Sequence, residues 1–291
     1  MGTEKVAVVT GSNKGIGLAI VRGLCKQFNG TVYLTARDEV RGREAVKSLE
    51  QEGLSPKFHQ LDTDSESSIK KFREHIANNH GGIDVLINNA AMAFKNSATE
   101  PFSYQAETTL RVNFFDTLNV CEELFPLLRK HARVVHMSSY AGHLTRINGK
   151  EPEAGIIRSK LSSPTLTKNE LAGLVKSFLS LAAEGKHFEA GWPNTAYGVS
   201  KVAVSALGRI QQREFDEKRP NDDIVINNVH PGLVDTDMTS HSGPMTPDEG
   251  AQAPLYAALL PPCVKEPRGG YIWMDKTTVD WIKGPLPIKY F

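Results

Sequence analysis

With 291 residues, of which 40% are hydrophobic and 23% charged, the chain has the composition of a globular protein with a sizeable core. A formal net charge of +1 gives no electrostatic reason to expect nucleic acid or an acidic membrane surface as a partner. Three scattered cysteines, Cys25, Cys121 and Cys263, exclude a disulfide framework or a zinc cluster and point to a reducing compartment.

The first apolar run, Lys5–Thr10, starts so near Met1 that a signal peptide is not expected, and no apolar run approaches a membrane span. A cytoplasmic protein is the expectation. Further strand-like runs follow at Thr31–Ala36, Lys57–Leu61, Val85–Asn88, Arg133–Ser138 and Ile224–His230, with a weaker one at Gly270–Met274. Helical patterns separate most of them, at Ile16–Phe28, Glu39–Glu52, Ser65–Asn79, Asp116–Lys130 and Thr195–Glu217. Near-continuous apolar strands alternating with helices predict an α/β protein with a doubly wound parallel sheet, covered on both faces and forming one domain over 1–291.

After the first strand comes Thr10-Gly11-Ser12-Asn13-Lys14-Gly15-Ile16-Gly17, a glycine turn that opens a helix. Gly11 permits the tight turn, Gly15 lets the backbone approach a pyrophosphate, and Gly17 lets the helix pack closely on the sheet. Helix-start N–H groups then face the phosphates, where the dipole favours negative charge. The second strand ends in Arg37, and a guanidinium there suits a 2′-phosphate. Lys14 adds a second positive charge, so NADP(H) is expected over NAD(H), although Asp38 offers a carboxylate that a ribose hydroxyl can use. Asp62, ending the third strand, either accepts from the adenine amino group or caps the next helix. Asn88-Asn89-Ala90 ends the fourth strand, where side-chain amides can tie loops together.

The stretch from Tyr140 to Ala196 is long and largely polar. Within it Thr167-Lys168-Asn169-Glu170 is a capping box, and Leu171, Leu174, Val175, Phe178 and Ala182 follow at helical spacing before Gly185. An inserted amphipathic helix is expected, with a mobile loop as the alternative. Beyond it, Tyr197 has Lys201 four positions later, on the same helical face. A neighbouring ammonium favours phenolate and lowers the phenol pKa toward the range for proton transfer. Upstream, Ser138-Ser139 ends the fifth strand on the edge where α/β ligands bind.

In order and rough spacing, Gly11-xxx-Gly15-x-Gly17, Asn88-Asn89-Ala90, Asn113, Ser139, Tyr197-xxx-Lys201 and Pro231-Gly232 resemble the short-chain dehydrogenase/reductase superfamily. Longer phrases, among them Asn13–Val21, Leu34–Asp38, Glu52–Pro56, Gly191-Trp192-Pro193 and Ala258–Pro262, resemble its monomeric NADPH-dependent carbonyl reductases. The resemblance implies NADPH-dependent reduction of aldehydes, ketones or quinones. Tyr197 would be the general acid, Ser139 would hydrogen-bond the carbonyl oxygen, and Lys201 would hold the nicotinamide ribose. Asn113 would kink its helix and hold a water that passes protons to Lys201. Ser139 is preferred to Ser138 because Ser139-Tyr140-Ala141-Gly142 matches the family's Ser-x-x-Gly.

Cofactor contacts are implied at Gly11, Asn13, Lys14, Gly15, Ile16, Gly17, Arg37, Asp62, Asn89 and Ala90. Tyr197, Lys201, Pro231, Gly232, Val234 and Thr236 complete that set, with a helix cap as the other reading of Thr236. Ser139, Tyr140, Trp192 and Leu233 would line the substrate pocket. Ala91 stands where the family has glycine, Leu233 where a relative carries tryptophan, and Tyr140 where an aliphatic residue is common; these changes bear on substrate range. The insertion 140–196 would cover the helix face used elsewhere for pairing, which predicts a monomer. Two alternatives share the fold, a non-turning-over NADP(H) sensor or scaffold and an alcohol dehydrogenase acting on steroids or prostaglandins.

Overall fold

A computed structural model describes residues 4–287; the reading of Met1–Thr3 as leaving no room for a leader lies outside them. In chain order the first half comprises β1 (Val6–Val9), α1 (Gly15–Gln27), β2 (Thr31–Ala36), α2 (Glu39–Gln51), β3 (Lys57–Gln60), α3 (Glu66–Asn79) and β4 (Ile83–Asn88). Next come α4 (Phe102–Leu110), a π-helical turn at Arg111–Phe115, α5 (Asp116–Leu124) and β5 (Leu128–Met137). The remainder holds α6 (Glu153–Leu161), α7 (Lys168–Ala183), α8 (Ala196–Lys218), β6 (Val225–Val229), α9 (Pro247–Gly250), α10 (Gln252–Ala258), β7 (Tyr271–Ile272) and β8 (Thr278–Val279).

The eight strands form one sheet in the order β3-β2-β1-β4-β5-β6-β7-β8, parallel except for the final β7–β8 pair. Strand order reverses between β1 and β4, so the crevice beyond their C-terminal ends is the ligand position of such a sheet. Alternation along β1 sends Ala7 and Val9 to one face, against Ile20 and Leu24 of α1 and Leu49 of α2. Val6 and Val8 go to the other face, against Ile69 and Phe72 of α3 and Leu124 of α5. Both faces are covered, which is why the strand reads as an unbroken apolar run.

The expected insertion helix is present as α7. Thr167 Oγ1 accepts from the Glu170 N–H at 3.2 Å, while Glu170 Oε2 accepts from the Thr167 N–H at 2.8 Å. Its Leu171, Val175 and Phe178 are buried in one core with Val199, Val202 and Ala206 of α8. Several elements differ from the sequence reading. The helix expected over Asp116–Lys130 stops at Leu124, because Pro126 sits in a short 3-10 turn and β5 then begins at Leu128. Helices α4, α6, α9 and α10 and the antiparallel strand β8 are additional. Among the described residues no helix is long and apolar enough to cross a membrane.

Candidate active site

The glycine turn leaves β1 with Gly11 at φ +58° and Gly15 at φ +57°, both in the left-handed region. A Cβ on Gly11 would lie 2.8 Å from the Ala90 Cα. One on Gly17 would lie 2.5 Å from Asn89 Nδ2 and 2.8 Å from the Gly11 carbonyl oxygen. The third glycine therefore makes room for the Asn89 amide and the turn itself, where the sequence suggested sheet packing. Asn89 Nδ2 donates to the carbonyls of Thr10 at 3.0 Å and Gly11 at 2.9 Å, and Thr10 Oγ1 accepts from the N–H groups of Asn89 and Ala90, each at 3.0 Å. Lys14, at the N-cap of α1, supplies no side-chain cap, so the first N–H groups of this 13-residue helix remain for an anion. Asn13 and Ile16 flank that opening, half-buried.

The selectivity residues sort clearly. Asp38 Oδ1 accepts from the Arg41 N–H at 2.9 Å, which commits this carboxylate to the N-cap of α2 and leaves the exposed Arg37 guanidinium beside it. Lys14 Nζ lies 2.6 Å from Asp237 Oδ2, and that hydrogen bond holds the Asp237 carboxyl below its ordinary pKa. Asp62 does not cap α3; that role belongs to Ser65, whose Oγ accepts from the Ser68 N–H at 3.3 Å. A cradle closed to Cβ atoms, open helix N–H groups and two exposed cations fit a phosphorylated dinucleotide.

Helix α8 starts at the Thr195 cap, whose Oγ1 accepts from the Gly198 N–H at 3.1 Å. Lys201 Nζ lies 5.6 Å from the Tyr197 ring centroid and donates to the Met137 carbonyl, at the end of β5, at 2.7 Å. Lys201 is 4% exposed, and burial lowers its pKa to about 8. For Tyr197, burial raises the phenol pKa and a hydrogen bond with the Ser139 side chain lowers it. Burial prevails, so the Tyr197 pKa stands above its ordinary value; the expected depression by Lys201 is absent, and the lowering influence comes from Ser139. The two serines separate in the same way. Ser138 Oγ is buried in a bond with Ser205 Oγ at 2.7 Å, whereas Ser139 Oγ faces Tyr197 and accepts from the Ala141 N–H at 3.2 Å.

Asn113 lies in the π-helical turn between α4 and α5, the place where the resemblance implied an irregular helix. Its Oδ1 accepts from the Met92 N–H at 2.8 Å, and its Nδ2 donates to the Met92 carbonyl at 2.9 Å and Ser200 Oγ at 3.0 Å. The side chain therefore ties the β4 loop to α8. Its backbone carbonyl accepts from Thr117 Oγ1 at 2.9 Å.

After β6, Pro231 is buried and Gly232 adopts φ +92° against Met245 and Met274. Val234 is buried, and Thr236 opens a 3-10 turn at Asp237–Thr239 while its Cγ2 would touch a Cβ on Gly15 at 3.4 Å. Thr236 thus both caps and meets the glycine turn. Leu233 is half-buried in the same loop. The Tyr140 N–H donates to His230 Nδ1 at 2.9 Å, and the Arg146 guanidinium carbon lies 3.7 Å from the Tyr140 ring centroid. Trp192 is 4% exposed and packs on Phe178 with ring centroids 5.3 Å apart, in the core that α7 shares with α8.

Sequence reasoning missed Tyr271, whose hydroxyl donates to the Ser139 carbonyl, and Asp237, the partner of Lys14. Only the weak strand pattern at Gly270–Met274 hinted at the first. Away from the site, ligand atoms of His131, Asp223 and Cys263 lie within 4.8 Å of one another. Arg133 and Arg268 pair with that Asp223 carboxylate at 3.1 and 3.3 Å, which opposes a cation there.

Fold and site together define a dinucleotide-dependent dehydrogenase or reductase, and the chain belongs to the short chain dehydrogenase family, whose family model matches residues 5–151. Among its relatives is the protein of Rattus norvegicus named NADPH carbonyl reductase 1, 48% identical over 276 residues, which span 95% of this chain and 98% of that one. The Mus musculus protein named NADPH carbonyl reductase 3 is 48% identical over 278 residues, 96% of this chain and 99% of that one. Salutaridine reductase from Papaver somniferum superposes with a TM-score of 0.79 at 29% identity, over 92% of this chain and 99% of that one.

Proposed function

We propose that the chain reduces the carbonyl group of aldehydes, ketones or quinones to the alcohol, with NADPH as reductant. The observation that carries the proposal is the meeting of the Ser139 and Tyr197 side chains beside a buried Lys201, whose Nζ donates to the Met137 carbonyl at the C-terminal edge of the sheet. The relatives named NADPH carbonyl reductases support the same reading over almost the whole chain. Bound NADPH supplies hydride to the carbonyl carbon. The protein provides the rest. Gly11, Asn13, Gly15, Ile16 and Gly17 shape the pyrophosphate seat; Lys14 and Arg37 attract the 2′-phosphate; Asp62 stays available to the adenine. Asn89 and Ala90 brace that seat, while Pro231, Gly232, Val234 and Thr236 line the nicotinamide side.

Ser139 Oγ donates to the carbonyl oxygen as negative charge develops there, and Tyr197 Oη delivers a proton to the same oxygen. Lys201, charged below about pH 8, holds the ribose hydroxyls and steadies the phenolate left behind. Tyr140 and Leu233 border the substrate. Because α7 buries Leu171, Val175 and Phe178 against α8, that face of α8 is closed to a second copy, which supports a monomer. Cysteines free of disulfides among the described residues support a cytoplasmic setting. Purified protein should consume NADPH in step with loss of an activated ketone or quinone, and Ser139→Ala should slow it by about 10²-fold. Tight NADPH binding without turnover on any such carbonyl would refute the proposal.

A further inference from the structure

Past Ser138, whose N–H still donates to the Val229 carbonyl at 2.8 Å, the backbone leaves the sheet ladder, and Ser139 has to be held by something else. The C-terminal hairpin β7–β8 supplies the holding points. Tyr271 Oη donates to the Ser139 backbone carbonyl across 132 residues of chain. Trp281 Nε1 donates to the Gly142 carbonyl at 2.7 Å, and the Leu144 N–H returns a bond to the Trp281 carbonyl at 3.3 Å. His143 accepts at Nδ1 from the Thr145 N–H at 3.3 Å, which fixes the tautomer, so its Nε2–H donates to the Asp280 carbonyl at 2.8 Å. Tyr271 and Trp281 are each 2% exposed. Their groups have no water to turn to.

We infer that Tyr271 is a positioning residue for the proposed reaction, the β7–β8 hairpin clamping the 139–144 segment so that the Ser139 hydroxyl stays aimed at Tyr197. The inference rests on the reading of Ser139 as a catalytic residue. The physical argument concerns one peptide plane. The Ser139 carbonyl accepts from the Gly142 N–H at 2.8 Å and from the Tyr271 hydroxyl, and these two donors fix the orientation of the peptide that follows the serine. Without the phenol donor that peptide can rotate and carry Oγ out of line. Displacements of about 1 Å at a reacting group cost up to about 100-fold in rate. Tyr271 is buried, packed edge-on to His143 with centroids 5.9 Å apart. Burial also raises its pKa, so it remains a donor across the working pH range.

The test is a double-mutant cycle on the full chain with NADPH and a quinone. Tyr271→Phe keeps the ring and deletes the donor; kcat should fall about 10-fold while the NADPH dissociation constant stays within about twofold. The apparent pKa of Tyr197 in the kcat–pH profile should move up, since the Ser139 bond that lowers it is loosened. On a Ser139→Ala background the same substitution should change kcat by less than about twofold. Ile76→Val, in α3 and in the core on the other face of the sheet, should lower stability and leave kcat unchanged. A slow Ser139→Ala enzyme in which the Tyr271→Phe effect multiplies in full would overturn this inference alone. Wild-type kcat and pH profile in Tyr271→Phe would do the same. Wild-type kcat in Ser139→Ala would overturn the proposed function and this inference with it.

Discussion

Lys14 Nζ and Asp237 Oδ2, 223 residues apart in the chain, meet at 2.6 Å over the glycine turn. Lys95 Nζ reaches the same loop, donating to the Asp237 carbonyl and to Ser240 Oγ at 2.9 Å. Both members of the Lys14–Asp237 pair are more than half exposed, so the bridge adds little to stability. Its effect is on the cofactor, because Asp237 and a 2′-phosphate draw on one ammonium. Asp237→Asn should lower the KM for NADPH by about 2–5-fold, and Lys14→Ala should raise it by about 10-fold, with the KM for NADH nearly constant in both. Paired titrations with the two cofactors check this.

Gly17 is a second lever on the cofactor. Gly17→Ala forces a methyl to within 2.5 Å of Asn89 Nδ2 and 2.8 Å of a backbone oxygen, so the amide that ties β1 to β4 has to move. NADPH affinity should drop by at least about 10-fold, with a stability loss of about 1–3 kcal/mol. Isothermal titration and denaturant unfolding give the two numbers.

How much of this was readable in the chain differs from residue to residue. β2 was legible at Thr31–Ala36 because both its faces are buried and the period needs no partner to be recognised. The cap of α7 was legible because a capping box is wholly local. Ser139 was separated from Ser138 only through a motif; the physical reason, that Ser138 is held by Ser205, lies 67 residues away. Trp192 carried no sign of which way its ring would turn, and the structure gives it to Phe178. The roles of Tyr271 and Asp237 are contacts across 132 and 223 residues, which no local pattern encodes.

Acid sensitivity follows from two neutral, buried histidines. Burial lowers the pKa of His136 to about 4 and of His230 to about 4, from an ordinary value of 6.5. Between those values the unfolded chain binds more protons than the folded one, so stability increases with pH across that window and declines on acidification. Each histidine contributes about 3 kcal/mol to that decline. Denaturant midpoints should fall between about pH 7 and about pH 4, and His230→Asn should flatten the dependence while lowering stability overall. A flat wild-type profile would contradict the burial of both rings.

The insertion is structural as well as protective. Phe178 is fully buried among α4, α7 and α8, so Phe178→Ala should cost about 3–5 kcal/mol of unfolding free energy. Native mass spectrometry of the wild type should give a single species at 32.0 kDa. A stable dimer would contradict the closure of the α8 face.

The most direct measurement is single-turnover reduction of a quinone by Tyr197→Phe with NADPH bound at saturation. Hydride transfer should slow by about 10²–10⁴-fold while the NADPH dissociation constant stays close to that of the wild type. An unchanged rate in that variant would show that the Tyr197 hydroxyl is not the proton donor.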